Sequence, residues 1–291
     1  MNTASGTRET GTVLDRIVIV RRGRLAEDQL ARPEADLSDC LASIAATRDF
    51  AALLHSGTPG TPEGARVRLI AEIKRASPSK GVFDADLDAV DQARRYASAG
   101  AAAISILTEP DFFRGSIEDL EAVSTAFSTD PDRPALIRKE FIWDPYQLLE
   151  ARAFGADALL LIVMLLEPSV LSDLIAQTRD LGMEPLVEVH DEAEVRIALD
   201  AGARVLGVNN RDLRTFDEDL GTTERIAALV SAEDGVTLVA ESAIRTPADA
   251  ARMADAGAHA LLIGEALVTG GDVESSARAF MRGDASLEVG A

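Results

Sequence analysis

Cysteine, lysine and aromatic residues are scarce in this chain of 291 residues. The single cysteine, Cys40, excludes an internal disulfide and is typical of a reducing compartment, so we expect a cytoplasmic protein. The longest apolar run, residues 158–166, is shorter than the roughly 20 residues that a membrane-spanning helix needs. The sequence does not begin with a charged segment followed by an apolar one, which is the pattern of a signal peptide, so we expect no secretion signal.

Positive charge is also scarce relative to negative charge. The chain has 49 acidic and 29 basic residues, which give a formal net charge of −20. Such a surface repels nucleic-acid phosphates and anionic lipids, so we expect neither nucleic acid nor a membrane as a partner. A hydrophobic share of 47% is that of an ordinary globular protein. Any anionic ligand must therefore be held by a local positive site.

From residue 66 onward, short apolar runs alternate with amphipathic stretches of helical length. The predicted strands are residues 67–73, 102–108, 135–141, 158–165, 185–190, 205–209, 237–241 and 260–263. Continuous apolar strands are buried on both faces, and helices between them imply parallel crossovers. An open doubly wound sheet would normally carry a glycine-rich fingerprint after its first strand, which is missing here. The sequence therefore predicts an α/β fold, a closed (β/α)8 TIM barrel.

The segment before the first strand has a different pattern. We expect residues 1–12 to be disordered because they are small and polar. Residues 13–30 and 37–54 have the helical spacing of apolar residues that predicts two helices packed on the barrel. We therefore predict a single barrel domain, residues 13–291, with an N-terminal helical extension over residues 13–54.

Polar residues at the end of the first predicted strand need an explanation, because barrel enzymes carry their chemistry at the carboxyl ends of the strands. The run "AEIKRASPSKG" places Glu72, Lys74 and Ser77 there. Glu72 and Lys74 are two residues apart, so both side chains point into the barrel. A structural ion pair is the alternative interpretation.

Lysine usage favours the catalytic interpretation. Only three of the 29 basic residues are lysines, and they are Lys74, Lys80 and Lys139 at the ends of the first and third predicted strands. Lysine can lose a proton in a protein whereas arginine stays charged, so proton transfer is a reason to keep lysine. Lys139 is the strongest candidate for a general acid.

Four later strands also end in polar residues. The fifth contains Glu188 within "PLVEVH", where a carboxylate has a raised pKa unless it is paired. The other strand ends present Asn209, Arg211, Glu241, Ser242, Gly264 and Glu265. The last two loops are the usual phosphate position of this architecture, although Gly264 could instead serve only a tight turn.

Seven segments of the sequence together resemble the motifs of the indole-3-glycerol phosphate synthase family, and they follow one another in the family's order and at its approximate spacing. They are "AEIKRASPSKG", "ILTEPDFFRGS", "IRKEFIWDPYQ", "LVEVH", "GVNNRDL", "VAESAI" and "LLIGEAL". The resemblance covers about residues 13–281. It implies an enzyme of tryptophan biosynthesis that closes the indole ring of 1-(2-carboxyphenylamino)-1-deoxyribulose 5-phosphate, with loss of CO2 and water and without cofactor or metal.

The resemblance also implies residue roles. Lys139 would protonate or polarise the ketone and Glu188 would assist later proton transfers. Lys74, oriented by Glu72, would serve ring closure and dehydration, while which lysine acts in each step stays open. Asn209 and Arg211 would support the catalytic layer, and Glu241 would complete it. The implied substrate-binding residues are Ser77, Lys80, Phe113, Phe141, Arg211, Ser242, Ala243, Gly264 and Glu265, with the two phenylalanines forming an apolar wall and the last two loops holding phosphate.

Two departures from the family pattern stand out. Ala243 replaces a usual glycine, which costs about 1 kcal/mol if this position requires a positive φ. Trp143 replaces a smaller aliphatic residue and is expected to pack under the following helix.

The rival phosphoribosylanthranilate isomerase would need a cysteine at a strand end, whereas Cys40 lies in the N-terminal extension. A non-catalytic sugar-phosphate binder would be expected to lack Lys139 or Glu188. The sequence leaves the oligomeric state open, a monomer included.

Overall fold

Eight parallel strands close into a barrel in the computed structural model, which describes residues 6–55, 57–58, 60–78, 80–230, 235–269 and 272–284. The strands are β1 (Arg68–Ile73), β2 (Ala103–Leu107), β3 (Ala135–Lys139), β4 (Ala158–Ile162), β5 (Glu184–Val189), β6 (Val205–Asn209), β7 (Thr237–Glu241) and β8 (Ala260–Ile263). Each strand pairs with the next, and β8 pairs with β1. The predicted (β/α)8 barrel is confirmed.

Helices connect the strands and cover the outside of the barrel. They are α1 (Val13–Ala31), α2 (Glu34–Cys40), α3 (Phe50–Leu53), α4 (Ala89–Ala99), α5 (Ile117–Ala126), α6 (Pro145–Ala153), α7 (Pro168–Asp180), α8 (Glu192–Asp200), α9 (Gly221–Val230), α10 (Pro247–Asp255), α11 (Glu265–Thr269) and α12 (Val273–Arg282). Asp144 begins α6 with a capping box that includes Gln147. Gly100 ends α4 with φ of 92°, a left-handed conformation that glycine adopts readily at the end of a helix.

Two predicted strands end earlier than their apolar runs. β3 ends at Lys139 and β4 ends at Ile162, where a 3₁₀ helix, Val163–Leu165, takes over. The residues that follow the last ladder pairs, including Glu140, Phe141 and Val163, stay buried because the loops at the rim are themselves packed. In the part of the chain that the structure describes, no helix is both long and apolar enough to cross a membrane.

The N-terminal extension contains one long helix, α1, as predicted. Tyr146 anchors its end to the barrel, because the carbonyls of Asp28 and Arg32, at 3.0 and 2.9 Å, share the one hydrogen that the tyrosine hydroxyl donates. The single helix predicted over residues 37–54 is wrong. The chain forms α2, a short 3₁₀ turn at Leu41–Ser43 and α3, with residues 44–49 outside any helix.

A tertiary contact explains this interruption. The backbone N–H of Arg48 donates to the buried carboxylate of Asp157, 2.8 Å away, so this peptide faces the barrel instead of continuing a helix. Residues 6–12 also differ from the expected disorder, because Thr7 bridges to Leu166 and the N–H of Arg8 donates to the Leu165 carbonyl at 2.8 Å. Residues 1–5 lie outside the described residues.

Candidate functional site

The carboxyl ends of the barrel strands surround a cavity of about 450 Å³. Its lining includes every residue that the sequence predicts for the site, namely Glu72, Lys74, Ser77, Lys80, Phe113, Lys139, Phe141, Glu188, Asn209, Arg211, Glu241, Ser242, Ala243, Gly264 and Glu265. Helix α1 contributes Val13, Leu14 and Ile17 to one wall. The fold therefore brings together residues from all eight strands of the barrel and from the N-terminal extension.

Lys139 is the centre of a buried charge cluster. Its Nζ lies 3.0 Å from Glu241 Oε2 and 3.4 Å from Glu188 Oε2, and its side chain is only 13% exposed. Burial alone would lower the lysine pKa, but the carboxylates of Glu241 and Glu188 outweigh it and raise the pKa well above its ordinary value. The ammonium ion is therefore stable at neutral pH and can polarise a bound oxygen through its charge and a hydrogen bond, although the raised pKa makes it a weaker proton donor than an ordinary lysine.

The two carboxylates beside Lys139 have opposite pKa shifts. Burial works to raise the pKa of Glu188, but Lys139, His190 and an Asn209 Nδ2 hydrogen bond of 3.2 Å lower it below its ordinary value. The raised pKa that the sequence indicates for an unpaired Glu188 is therefore absent, because this carboxylate is paired.

Glu241 has the raised pKa instead. Burial and the negative charge of Glu188 raise the pKa of Glu241 to about 7, although Lys139 opposes the shift. Within the described part of the chain, its buried Oε1 has no hydrogen-bond partner. Glu241 is thus the carboxyl group of the cavity that can exchange a proton near neutral pH.

A second ion pair lines the cavity beside this cluster. Lys74 Nζ contacts Glu72 Oε1, as the two-residue spacing predicts. Burial works to raise the pKa of Glu72, but the charges of Lys74 and Lys139 leave it below the ordinary value. Gly264 is needed here, since a Cβ on it would lie 2.7 Å from Glu72 Oε1. The glycine thus makes room for the Glu72 side chain.

The loops after β7 and β8 form the other end of the cavity. Ser242 and Ala243 both have φ of 62°, so the departure from glycine at position 243 does fall on a left-handed backbone. Lys80 Nζ contacts the Glu265 carboxylate across the cavity mouth. This end combines a lysine with exposed loop backbone, groups that suit a phosphate ester.

Aromatic side chains form an apolar wall. The rings of Phe113 and Phe141 lie 6.0 Å apart between centroids and are tilted by 41°. Trp143 is 3% exposed and packs in the core, where its backbone N–H donates to Gln147 Oε1 at 2.9 Å. It is not among the residues that line the cavity.

Four charged residues in or beside the cavity are not among the predicted ones, and they are Glu140, Glu218, Arg245 and His190. Glu218 lies between Arg211, 2.6 Å from its Nη2, and Arg245, which it contacts through its other oxygen. No spacing pattern predicts this arrangement, because Arg211 and Glu218 lie in the loop after β6 whereas Arg245 lies in the loop after β7. His190 lies 3.4 Å from Glu188, and here the two-residue spacing was an available signal.

The described residues include no group of three or more His, Cys, Asp or Glu side chains that could hold a metal ion. The charges of the cavity instead balance one another as Lys–Glu and Arg–Glu pairs. This arrangement suits general acid–base chemistry on an anionic substrate.

Comparison with known proteins identifies a matching family. The sequence model of the indole-3-glycerol phosphate synthase family matches residues 14–280. The indole-3-glycerol phosphate synthase of Roseiflexus sp. (strain RS-1) is 46% identical over 268 residues, which cover 92% of this chain and 97% of that protein. The multifunctional tryptophan biosynthesis protein of Schizosaccharomyces pombe is 47% identical over 213 residues, 73% of this chain and 28% of that protein.

Solved structures agree on the fold. The 3-hexulose-6-phosphate synthase from Salmonella typhimurium superposes with a TM-score of 0.58 at 14% identity, covering 75% of this chain and 98% of that one. At this identity the likeness concerns the barrel architecture alone.

Proposed function

We propose, from the premise that this chain belongs to the indole-3-glycerol phosphate synthase family, that its cavity closes the pyrrole ring of 1-(2-carboxyphenylamino)-1-deoxyribulose 5-phosphate. The family comprises decarboxylating lyases of tryptophan biosynthesis, and the chain is an enzyme of this class. The observation that carries the residue-level proposal is the position of Lys139, a buried ammonium group between two carboxylates with its Nζ facing the cavity.

In the proposed first step, Lys139 donates a proton or a hydrogen bond to the ketone oxygen while the aromatic carbon that bears the carboxylate attacks the carbonyl carbon. The new carbon–carbon bond takes its electron pair from the ring, and the ring recovers aromaticity when CO2 leaves. A preorganised cation at the developing alkoxide stabilises this transition state.

The following dehydration needs a proton for the departing hydroxyl group and a base for the proton lost from the ring. Lys74, held by Glu72, serves the hydroxyl group, and Glu188 assists the proton transfers. The pKa of Glu241, raised to about 7, suits this carboxyl group to a share in them. Asn209 keeps Glu188 in place through its 3.2 Å hydrogen bond.

Substrate binding divides the cavity into two ends. The phosphate lies against Ser77, Lys80, Ser242, Ala243, Gly264 and Glu265, which surround the mouth near the last two loops. The anthranilate ring lies against Phe113 and Phe141. Arg211, which is paired with Glu218, supports the catalytic residues because its charge helps to lower the pKa of Glu72. No cofactor or metal takes part in this scheme.

We propose that a monomer is sufficient for activity, because all eight strands of one barrel and helix α1 line the cavity. We propose the cytoplasm as its location, because the chain has one cysteine and acts on a phosphorylated metabolite. Light scattering across a concentration range tests the first proposal, and fractionation of the source cells tests the second.

Indole fluorescence provides the direct test. Purified protein is supplied with the carboxyphenylamino ribulose phosphate, without added metal, and the appearance of indole emission is followed. Lys139→Met is expected to lower kcat by roughly 10²- to 10⁴-fold, the usual contribution of a general acid. Lys80→Met is the matched control, and it is expected to raise KM more than it lowers kcat. Absence of turnover in the wild type, or full turnover in Lys139→Met, would overturn the proposal.

A further inference from the structure

His190 connects the cavity to the first turn of helix α8. It follows β5 directly, and its side chain is 7% exposed. Its Nε2 lies 3.4 Å from Glu188 Oε1, and its Nδ1 lies 3.1 Å from Glu194 Oε2. The imidazole is therefore placed between two carboxylates, one in the cavity and one on the helix.

The Glu194 carboxylate is held firmly in this position. Its Oε2 also accepts a 2.8 Å hydrogen bond from the backbone N–H of His190. The backbone N–H of Glu194 in turn donates to Asp191, the N-cap residue of α8, at 2.9 Å. The beginning of the helix thus fixes the carboxylate that holds the histidine ring.

The contacts determine the protonation state of the ring. A neutral imidazole has one N–H and one lone pair, so one of its nitrogens would present a lone pair to a carboxylate oxygen. Both nitrogens of His190 face carboxylates: Nδ1 lies at hydrogen-bond distance, 3.1 Å, from Glu194, and Nε2 lies 3.4 Å from Glu188 in an ion-pair contact without hydrogen-bond alignment. Only the doubly protonated imidazolium gives attraction on both sides.

The Glu188 carboxylate needs this second cation. Its Oε2 faces Lys139 at 3.4 Å, and its Oε1 is shared by Asn209 Nδ2 at 3.2 Å and His190 at 3.4 Å. Lys139 is also attracted to Glu241 at 3.0 Å, so it does not neutralise Glu188 alone. A buried carboxylate without enough positive charge around it would take up a proton.

We propose that His190 is a positioning residue, held as an imidazolium by Glu194, which keeps the Glu188 carboxylate ionised and directed toward Lys139. This inference rests on the proposed function only for its effect on turnover. The charge state of the ring and its contact with Glu188 are properties of the protein itself.

The first experiment therefore measures the ring and not the activity. The chain contains three histidines, so a protein labelled with ¹⁵N at histidine gives few imidazole signals. One signal, lost in His190→Gln, is expected to report two protonated nitrogens from pH 6 to 9. Burial opposes this, but Glu188 and Glu194 raise the pKa of His190 to about 10. A neutral His190 ring at pH 7.5 would overturn the proposal, whether or not the protein turns over substrate.

The second experiment measures turnover. His190→Gln keeps a polar side chain but removes the charge, and it is expected to lower kcat roughly tenfold to a hundredfold with KM nearly unchanged. The acid limb of its pH–rate profile is expected to move to higher pH, because Glu188 then loses one of its two cations. Glu194→Gln, which leaves His190 in place but weakens its hold, should move the limb in the same direction by less.

His55→Gln is the matched control, since His55 contacts Thr237 at the opposite end of the barrel. It is expected to leave kcat and the pH profile unchanged. A merely structural role for His190 predicts a lower melting temperature in His190→Gln with an unmoved acid limb, and that result would contradict the proposal. If His190→Gln does not fold, the acid limb of Glu194→Gln decides in the same way.

Discussion

The carboxylate of Glu241 occupies the space where a side chain at Gly207 would lie. A Cβ on Gly207 would be 2.0 Å from Glu241 Oε1 and 3.2 Å from a methyl carbon of Leu186. The two residues lie on the adjacent strands β6 and β7, and Glu241 turns toward Lys139 across the barrel. The glycine therefore permits the contact between Glu241 and the proposed general acid.

Gly207→Ala is expected to displace the Glu241 carboxylate from Lys139. We expect kcat to fall by about tenfold or more and the free energy of unfolding to fall by about 1–3 kcal/mol, the usual cost of adding a methyl group to a packed core. Gly23→Ala is the control, because Gly23 lies in α1 with open space around its Cβ position. It should stabilise the protein slightly. Unchanged kcat in Gly207→Ala would show that the Glu241 position is unimportant.

Ala243→Gly is expected to stabilise the protein. Ala243 has φ of 62°, where an alanine costs about 1 kcal/mol more than a glycine. The gain is measured as the midpoint of urea unfolding, and KM should not rise because the loop backbone stays in place. Ala26→Gly, on the exposed face of α1, makes the same exchange in a helix and should destabilise by about 1 kcal/mol. If both variants lose stability, the left-handed conformation at position 243 carries no strain.

Glu241 is expected to make stability depend on pH. The folded protein raises its pKa from 4.5 to about 7, mainly through burial, so the folded state binds more protons than the unfolded state between these values. The resulting stabilisation is complete below the lower pKa and is lost as the pH rises through the higher one. Glu241→Gln resembles the protonated form at every pH. The midpoint of urea unfolding should therefore rise in Glu241→Gln relative to the wild type as the pH increases from 4.5 to 7. A difference that stays constant over this range would contradict the raised pKa of Glu241.

His259 is expected to make stability increase as the pH rises, which is opposite to the effect of Glu241. Its Nδ1 accepts a 3.0 Å hydrogen bond from the backbone N–H of Leu238, which requires the neutral ring. Burial, and then the nearby His55, lower the pKa of His259 below 6.5. The stabilisation is therefore present above pH 6.5 and is lost as the pH falls through the folded pKa.

His259→Asn tests this dependence, because the asparagine oxygen can replace Nδ1 as the acceptor without titrating. The melting temperature of the wild type should fall below that of the variant as the pH decreases from 7.5 to 5. Parallel curves for the two proteins would show that His259 does not titrate in this range.

The residues predicted for the site do line one cavity, because strand ends and side-chain alternation are local features of the sequence. Lys74 and Lys139 follow apolar runs, and a barrel brings all such ends to one rim. The predictions from sequence are wrong or incomplete for residues whose contact partners lie far away along the chain. The helix predicted over residues 37–54 is interrupted where Arg48 meets Asp157, and the Glu218 contacts depend on two loop conformations.

The sequence by itself determined the barrel, its rim and the family, since eight apolar runs and seven strand-end motifs can be recognised along the chain. Only the tertiary structure decided how charge is distributed within the rim. Glu188 is 49 residues and Glu241 is 102 residues from Lys139 along the chain, yet both contact the same ammonium group. The shift of each carboxyl pKa depends on burial and on distances across the barrel. No local pattern encodes those distances, so the structure alone assigned the lowered pKa to Glu188 and the raised one to Glu241.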